Sequence, residues 1–479
     1  MDRRGFLQLS AMTGAAVVLG SACSSDDQKS DAPSNGTTTT AVPKAASLLD
    51  GPAVESGIDT VVIVMMENRS FDSYFGWLAR DTAYLESGKS KYGAGFTVNG
   101  NSHQSFAAPN GATVETARRA TAGGANPWRG CGHPDPGHGW DKGRAERDHG
   151  FLAADSGNDE FALSYFEADD LPVYAHLARE FTVCDHWHAS VLGPTYPNRE
   201  YLLSGQSGGH KDNYLPIEEK GFTWPTIIDR LAAANVTVAE YFGDLPQSAL
   251  WGDRMLPIVR EGERFHEDAA AGKLPSVSFV TPAFNGGERT DDHPHGDPRA
   301  AQRFVRDHFA SFAKSKQWAN GLFILTYDEW GGFFDHVAPP HLPDDRASSN
   351  DADDFSQAGF RVPTVLASPR ARRNFVDTTQ YDHTSVLRFL EWRFLGAPAR
   401  GPGKDTDTWF LTKRDRNANN LGETLLAEGS DLDVGFDVDI TVPEPSAPCA
   451  DEAAVFDVEP TPFELALQLG YYERVGLAV

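Results

Sequence analysis

The run Thr60-Val61-Val62-Ile63-Val64-Met65-Met66 shows no alternation of polar and apolar residues and is rich in β-branched side chains. A strand of this kind has no face to turn toward water, so it belongs inside a sheet covered on both sides. Val236 to Tyr241, Ser276 to Val280, Leu322 to Tyr327 and Pro363 to Ala367 read the same way. Helical spacing is found in Trp224 to Ala234, Arg299 to Ala313 and Thr384 to Phe394. The last of these keeps Val386, Leu387, Leu390, Phe394 and Leu395 near one face. Strands alternating with helices predict an α/β fold with a mainly parallel central sheet and helices on both faces. The expected catalytic domain covers residues 55–400, with a tail at 401–479 packing on it and a helix from Phe463 to Tyr472. From Tyr84 to Asn158, Gly, Ala, Asn, Arg and His occur with little periodicity, which predicts an insertion or long loop passing near the site.

The chain begins as a targeting segment. Arg3-Arg4-Gly5-Phe6-Leu7 precedes a short apolar run, Ala11 to Gly20, that cannot span a bilayer. Twin arginines followed by Phe-Leu read as a twin-arginine export signal over residues 1–23, with a Ser/Thr/Ala-rich linker at 24–50. Cys23 follows Gly20-Ser21-Ala22, small residues that suit either lipoprotein acylation or an ordinary signal-peptidase cut. The expected location is therefore the cell envelope, tethered to the membrane through Cys23, or the medium. Cys131, Cys184 and Cys449 contain no C-x-x-C spacing and so no zinc ribbon, although one bridge can form outside the cytoplasm. A formal net charge of −26 argues against nucleic acid as a partner. It also means that a phosphate-handling site must bring its own positive charge, as a metal ion would. No protein partner is indicated.

Four motifs carry the chemistry. Glu67-Asn68 directly follows the first buried run, and Asp328-Glu329 directly follows Leu322 to Tyr327. Ligands of open α/β sheets gather beyond the carboxyl ends of strands, and these side chains offer hard oxygen ligands for a divalent cation. Ca²⁺, Mg²⁺ and Mn²⁺ are favoured, with Zn²⁺ also compatible. Asp335 and His336, seven and eight residues past Asp328, offer a second metal pair or an orienting carboxylate–imidazole pair. Gly193-Pro194-Thr195-Tyr196-Pro197-Asn198-Arg199 sets one hydroxyl between two prolines. Alone this is a turn, but Thr195 is also a candidate nucleophile. Asn68, Arg199 and His295 are candidate donors to phosphate oxygens, and His293 and His138 candidates for protonating a leaving oxygen. His133 lies in the same loop as His138. His186, His188 and His210 read as structural or solvent-facing, and His383 as a helix cap.

Taken in order, several words resemble the bacterial phosphoesterases that include phospholipases C and an acid phosphatase. They are Met66-Glu67-Asn68-Arg69-Ser70-Phe71-Asp72 with Tyr74-Phe75-Gly76, Phe181-Thr182-Val183-Cys184-Asp185, Gly193-Pro194-Thr195 through Arg199, Asp328-Glu329 through Asp335-His336-Val337, and Asp382-His383-Thr384-Ser385. The resemblance runs from about Asp59 to Leu395 and implies a fold like that of alkaline phosphatase. Glu67, Asn68, Asp328 and Glu329 match the family's metal ligands, Thr195 its nucleophile, and His293 and His138 its site histidines. It implies an exported, metal-dependent phospholipase C that cleaves phospholipid through a phospho-Thr intermediate. A broad-specificity acid phosphatase of small phosphate esters is the alternative enzyme, and an inactive binding protein the alternative of another kind. Nothing resembles the extra C-terminal modules of the longer phospholipases C.

Overall fold

The structure, a computed structural model, describes residues 45–122, 126–284, 289–402, 404, 408–429, 440–449 and 470. The export signal, Cys23, most of the linker and the expected terminal helix except Gly470 lie outside the described residues. Among the described residues no helix is long and apolar enough to cross a membrane.

The central sheet has eight strands: β1 (Thr60–Met66), β2 (Thr182–Cys184), β3 (Val238–Phe242), β4 (Val259–Glu261), β5 (Val277–Thr281), β6 (Gly321–Tyr327), β7 (Val365–Ala367) and β8 (Phe375–Asp377). Their order is β8-β2-β7-β6-β1-β5-β3-β4. The sheet is mainly parallel, as the apolar runs predict; only β7 runs against both its neighbours. Every residue of β1, β5 and β6 is buried, so both faces of the sheet centre are covered. Among the described residues the α-helices are α1 (Phe71–Phe75), α2 (Thr82–Tyr92), α3 (Trp140–His149), α4 (Pro172–Glu180), α5 (Thr195–Ser204), α6 (Ile227–Ala233), α7 (Glu263–Ala271), α8 (Pro298–Lys314), α9 (Thr384–Leu390) and α10 (Lys413–Asn417).

A one-residue slip between β1 and β6 would leave apolar residues on both faces, so periodicity cannot set their register. The polar ends set it, because drawing Glu67 or Asp328 into the sheet would bury a charge between apolar layers. The pairing runs from Thr60↔Gly321 to Met66↔Tyr327 and therefore brings Glu67 and Asp328 out at the same height.

Two features differ from expectation. Tyr84 to Asn158 contains α2 and α3, which lack an apolar stripe long enough to read as helices. Only Tyr84 and Gly88 of α2 are buried. Its signals are caps: Asp81 accepts from the Tyr84 N–H, and Gly93 ends it at φ 100°. The helix expected over Thr384 to Phe394 is α-helical only to Leu390 and continues as a π-helical turn, Glu391–Leu395. A disulfide joins Cys131 to Cys449, while Cys184 is free and buried.

Candidate active site

Beyond the shared end of β1 and β6 the chain turns sharply. Asn68 has φ 61°, a left-handed conformation that Asn tolerates better than most residues. Its N–H donates to Asp328 Oδ1 (3.2 Å), as does the Glu329 N–H (2.7 Å). Gly331, at φ 65°, approaches so closely that a Cβ would lie 2.4 Å from the Asn68 carbonyl oxygen. Its N–H donates to Glu329 Oε2 (2.7 Å). Glycine is required there by both conformation and space. Glu67, Asn68, Asp328 and Glu329 thus lie together, and all four are buried.

Thr195 is the first residue of α5, and its hydroxyl donates to Glu67 Oε1 at 3.3 Å. Pro194 caps the helix and Pro197 sits in the first turn, where a missing N–H costs little. The Asn198 carboxamide locks the preceding loop, accepting from the Val191 N–H and donating to the carbonyls of Gly193 and Pro194. The prolines therefore start a helix as well as shaping a turn.

Arg199 is placed otherwise than expected. Its guanidinium donates to Asp328 Oδ2 (2.9 Å) and the Met66 carbonyl (3.0 Å) and pairs with Glu67 Oε2 (3.4 Å), so it neutralises carboxylates instead of standing open for phosphate. One helical turn separates it from Thr195, and the acidic cluster attracts the nearest cation. His295 is also engaged: Nε2 donates to the His133 carbonyl (3.0 Å). Asp335 and His336 come together with Asp72, and the three form a group able to hold a metal ion. Arg361 lies against the same carboxylates, contacting Asp335 Oδ1 (2.9 Å) and Oδ2 (3.0 Å) and Asp72 Oδ1 (3.1 Å). His336 Nδ1 pairs with Asp72 Oδ2, an orienting carboxylate–imidazole contact whose carboxylate comes from Asp72 and not from the neighbouring Asp335.

His138 and His293 lie side by side, ring centroids 5.6 Å apart. His138 Nδ1 donates to the Pro136 carbonyl (2.7 Å), which leaves Nε2 to accept from Asn68 Nδ2 (3.3 Å). That contact turns the Asn68 amide oxygen away from His138. His293 Nδ1 donates to the Pro294 carbonyl, and its Nε2 lies 3.4 Å from Asp135 Oδ2. His383 does not cap with its side chain. Its Nε2 donates to the Asp328 carbonyl (2.6 Å) while Trp187 Nε1 donates to Nδ1 (3.3 Å), fixing the tautomer. His188 is buried against the Gly359 carbonyl, and His210 stacks on Tyr214.

Sequence reasoning missed Asp135, Asp291 and Asp292. The Asp291 carbonyl accepts from the Glu67 N–H (2.8 Å), which places the segment before His293 at the same strand end. The available signal was the adjacent pair Asp291-Asp292, crowded as Asp328-Glu329 is.

Burial first, and then the charge of Asp328, pushes the carboxyls of Glu67 and Glu329 well above the usual range. Burial raises Asp328 too, against the pull of Arg199. Burial, then Arg289 and His138, hold His293 far below the ordinary imidazole range. Asn68 Oδ1 and Glu329 Oε1 are buried with no hydrogen-bond partner among the described residues. Crowded carboxyls raised by burial and by one another need a proton or a cation to compensate them. Orphaned oxygens beside such a cluster are what a hard divalent cation would satisfy, so the residues fit one. Asp135, His138 and His293 form a further group able to hold a metal ion.

A model of the Phosphoesterase family matches residues 58–395. The chain is 32% identical over 409 residues to non-specific phospholipase C5 of Arabidopsis thaliana, covering 78% of this chain and 75% of that protein. It is 28% identical over 535 aligned positions to the non-hemolytic phospholipase C of Pseudomonas aeruginosa, covering 98% of this chain and 72% of that protein. Among solved structures, a protein in the alkaline phosphatase superfamily from Vibrio parahaemolyticus is similar over 47% of this chain and 60% of that one, at TM-score 0.32 and 14% identity.

Proposed function

The chain belongs to the Phosphoesterase family and is a phosphoric ester hydrolase, and we propose that it is a phospholipase C with Thr195 as nucleophile. The observation that carries this reading is the Thr195 hydroxyl on the first turn of a buried helix, 3.3 Å from Glu67 Oε1 at the shared end of β1 and β6. A hydroxyl there is oriented by its hydrogen bond to Glu67, and the positive end of the α5 dipole favours the anionic ester. Thr195 attacks phosphorus in line, diacylglycerol leaves, and water then cleaves the phospho-Thr intermediate.

His293 stands beside this centre as the candidate donor to the leaving oxygen. Burial and neighbouring cations keep it neutral in the free protein, and the negative charge of a bound phosphate ester acts in the opposite direction. To act as the acid it takes its proton up with the substrate, and the ester's charge favours that. Glu67, Asn68, Asp328 and Glu329 would hold a divalent cation, which supplies charge to stabilise the phosphoryl oxygens and the attacking oxygen. Elemental analysis of the purified protein should find at least one divalent ion per chain, and Asp328→Ala should lose it. Full occupancy in that variant would remove Asp328 from the ligand set.

The substrate is tested by assaying one preparation on phosphatidylcholine vesicles and on p-nitrophenyl phosphate. The expected result is diacylglycerol release with the higher kcat/KM on the lipid. Turnover of the monoester without diacylglycerol release would make the protein a phosphatase. Export by the twin-arginine route belongs to the same proposal and rests on Arg3-Arg4. Replacing both with Lys should hold the precursor in the cytoplasm, since that machinery reads the pair and not its charge. Normal export of the double-Lys precursor would assign another pathway.

A further inference from the structure

Three chain segments that carry site residues meet on one buried carboxylate, that of Asp292. Tyr74 donates to its Oδ2 at 2.5 Å and Tyr327 donates to the same oxygen at 2.7 Å. The Tyr174 hydroxyl lies 2.5 Å from that of Tyr327 and backs it. The other oxygen, Oδ1, faces Arg69 Nε at 3.6 Å, and the Arg69 guanidinium packs over the Phe333 ring at 4.5 Å. Asp292, Tyr74, Tyr174 and Tyr327 are sealed from solvent, and Arg69 is nearly so.

The sequence neighbours of these residues give the cluster its meaning. Arg69 directly follows Asn68, Tyr327 directly precedes Asp328, and Asp292 directly precedes His293. A single carboxylate therefore ties the end of β1, the end of β6 and the loop before α8, one bond short of a site side chain in each. Asp292 has φ 82°, a conformation an Asp holds only where its surroundings fix it. Its hydrogen bonds and ion pair go to Tyr74, Tyr327 and Arg69, none of which is assigned to substrate above.

We infer that Asp292 is a positioning residue that, through its tethers to Tyr74, Tyr327 and Arg69, sets His293 at the distance from Asn68 and Asp328 that leaving-group protonation needs. The inference rests on the role given to His293 above. A packed network of this kind has few alternative arrangements, and its members act as a unit, so losing one tether shifts the geometry of what it holds. Misplacement of a catalytic group by about 1 Å can cost up to about 10²-fold.

The test uses the full-length protein and two soluble choline phosphodiesters. One is dihexanoylphosphatidylcholine, whose leaving alkoxide needs a proton. The other is p-nitrophenyl phosphorylcholine, whose phenolate does not. His293→Ala should lose about 10²-fold or more on the alkyl ester and far less on the aryl ester. Tyr74→Phe, Tyr327→Phe and Asp292→Asn should each lower the alkyl-to-aryl ratio of kcat about tenfold. The Phe variants delete one oxygen each and keep the ring, so they remain informative if Asp292→Asn does not fold. In the His293→Ala background, Tyr74→Phe should produce no further change in the ratio. Equal losses on both esters, or a fully additive effect in that background, would overturn the inference while leaving the role of His293 intact. If His293→Ala itself shows no preference between the esters, the role of His293 falls and the inference falls with it.

Discussion

Thr195→Val is expected to reduce turnover by at least about 10³-fold, the scale on which losing a nucleophile acts, while the fold stays close to wild type. The substitution keeps the β-branched shape in a fully packed helix, where all ten residues of α5 are buried. It gives up one hydrogen bond and leaves the buried Glu67 Oε1 without that donor, at a cost of about 1–3 kcal/mol. A cost of that size is too small to explain the loss through instability. Thr195→Ser should keep measurable activity, because the oxygen survives and only a methyl group is lost. Steady-state kinetics with thermal midpoints on the same samples separates chemistry from packing. Near-normal turnover by Thr195→Val would reassign the attack to water and leave Thr195 as a helix-start residue.

The largest expected effect on stability is that of Arg361→Met. Arg361 is fully buried and holds Asp335 with two contacts and Asp72 with one, while Nη1 donates to the Asp185 carbonyl (2.8 Å). Removing the guanidinium leaves two carboxylates in the interior without their counter-charge, a change of about 3–5 kcal/mol. The sign with pH follows from Asp335, whose carboxyl burial already raises to about 6 with Arg361 present. A raised carboxyl stabilises the folded state below its unfolded pKa, about 3.9, and that contribution is lost as pH rises through the folded value. Without Arg361, whose charge lowers it, the Asp335 carboxyl rises further. The deficit of the variant should therefore be small near pH 4, open above about pH 6 and be clearly larger at pH 7. Urea unfolding at both pH values measures it; an equal deficit at both, or none, would show that the charges are not what Arg361 answers.

The sheet centre was legible because β1 and β6 are apolar on both faces, a pattern that few other environments accept. The strands toward the edges, β2, β4 and β8, were not: they have three residues each and offer little apolar run to read beyond Val183 and Cys184 of β2 and Phe375 and Val376 of β8. Glu67, Asn68, Asp328 and Glu329 could be read because each pair abuts a strand end, so sequence position alone placed them together. The direction of the Arg199 guanidinium could not be read. Which way a guanidinium points depends on the charges around it, and those come from β1 and β6, more than 120 residues away in either direction. For the same reason the contacts that Asp72 and Arg361 make with Asp335 and His336 could not be read, since both partners come from other segments. Asp292 was hidden by its own neighbour, because attention in Asp291-Asp292-His293 falls on the histidine.

The central claim, a covalent intermediate on Thr195, is tested most directly by quenching the enzyme in acid during turnover of phosphatidylcholine. Mass spectrometry of the peptide containing Tyr196-Pro197 then reads the result. The account predicts a phosphocholine adduct on residue 195 that builds up with substrate, decays when substrate is exhausted and is absent from Thr195→Val. An unmodified Thr195 at every quench time, with diacylglycerol accumulating and the adduct shown to survive the acid, would contradict it.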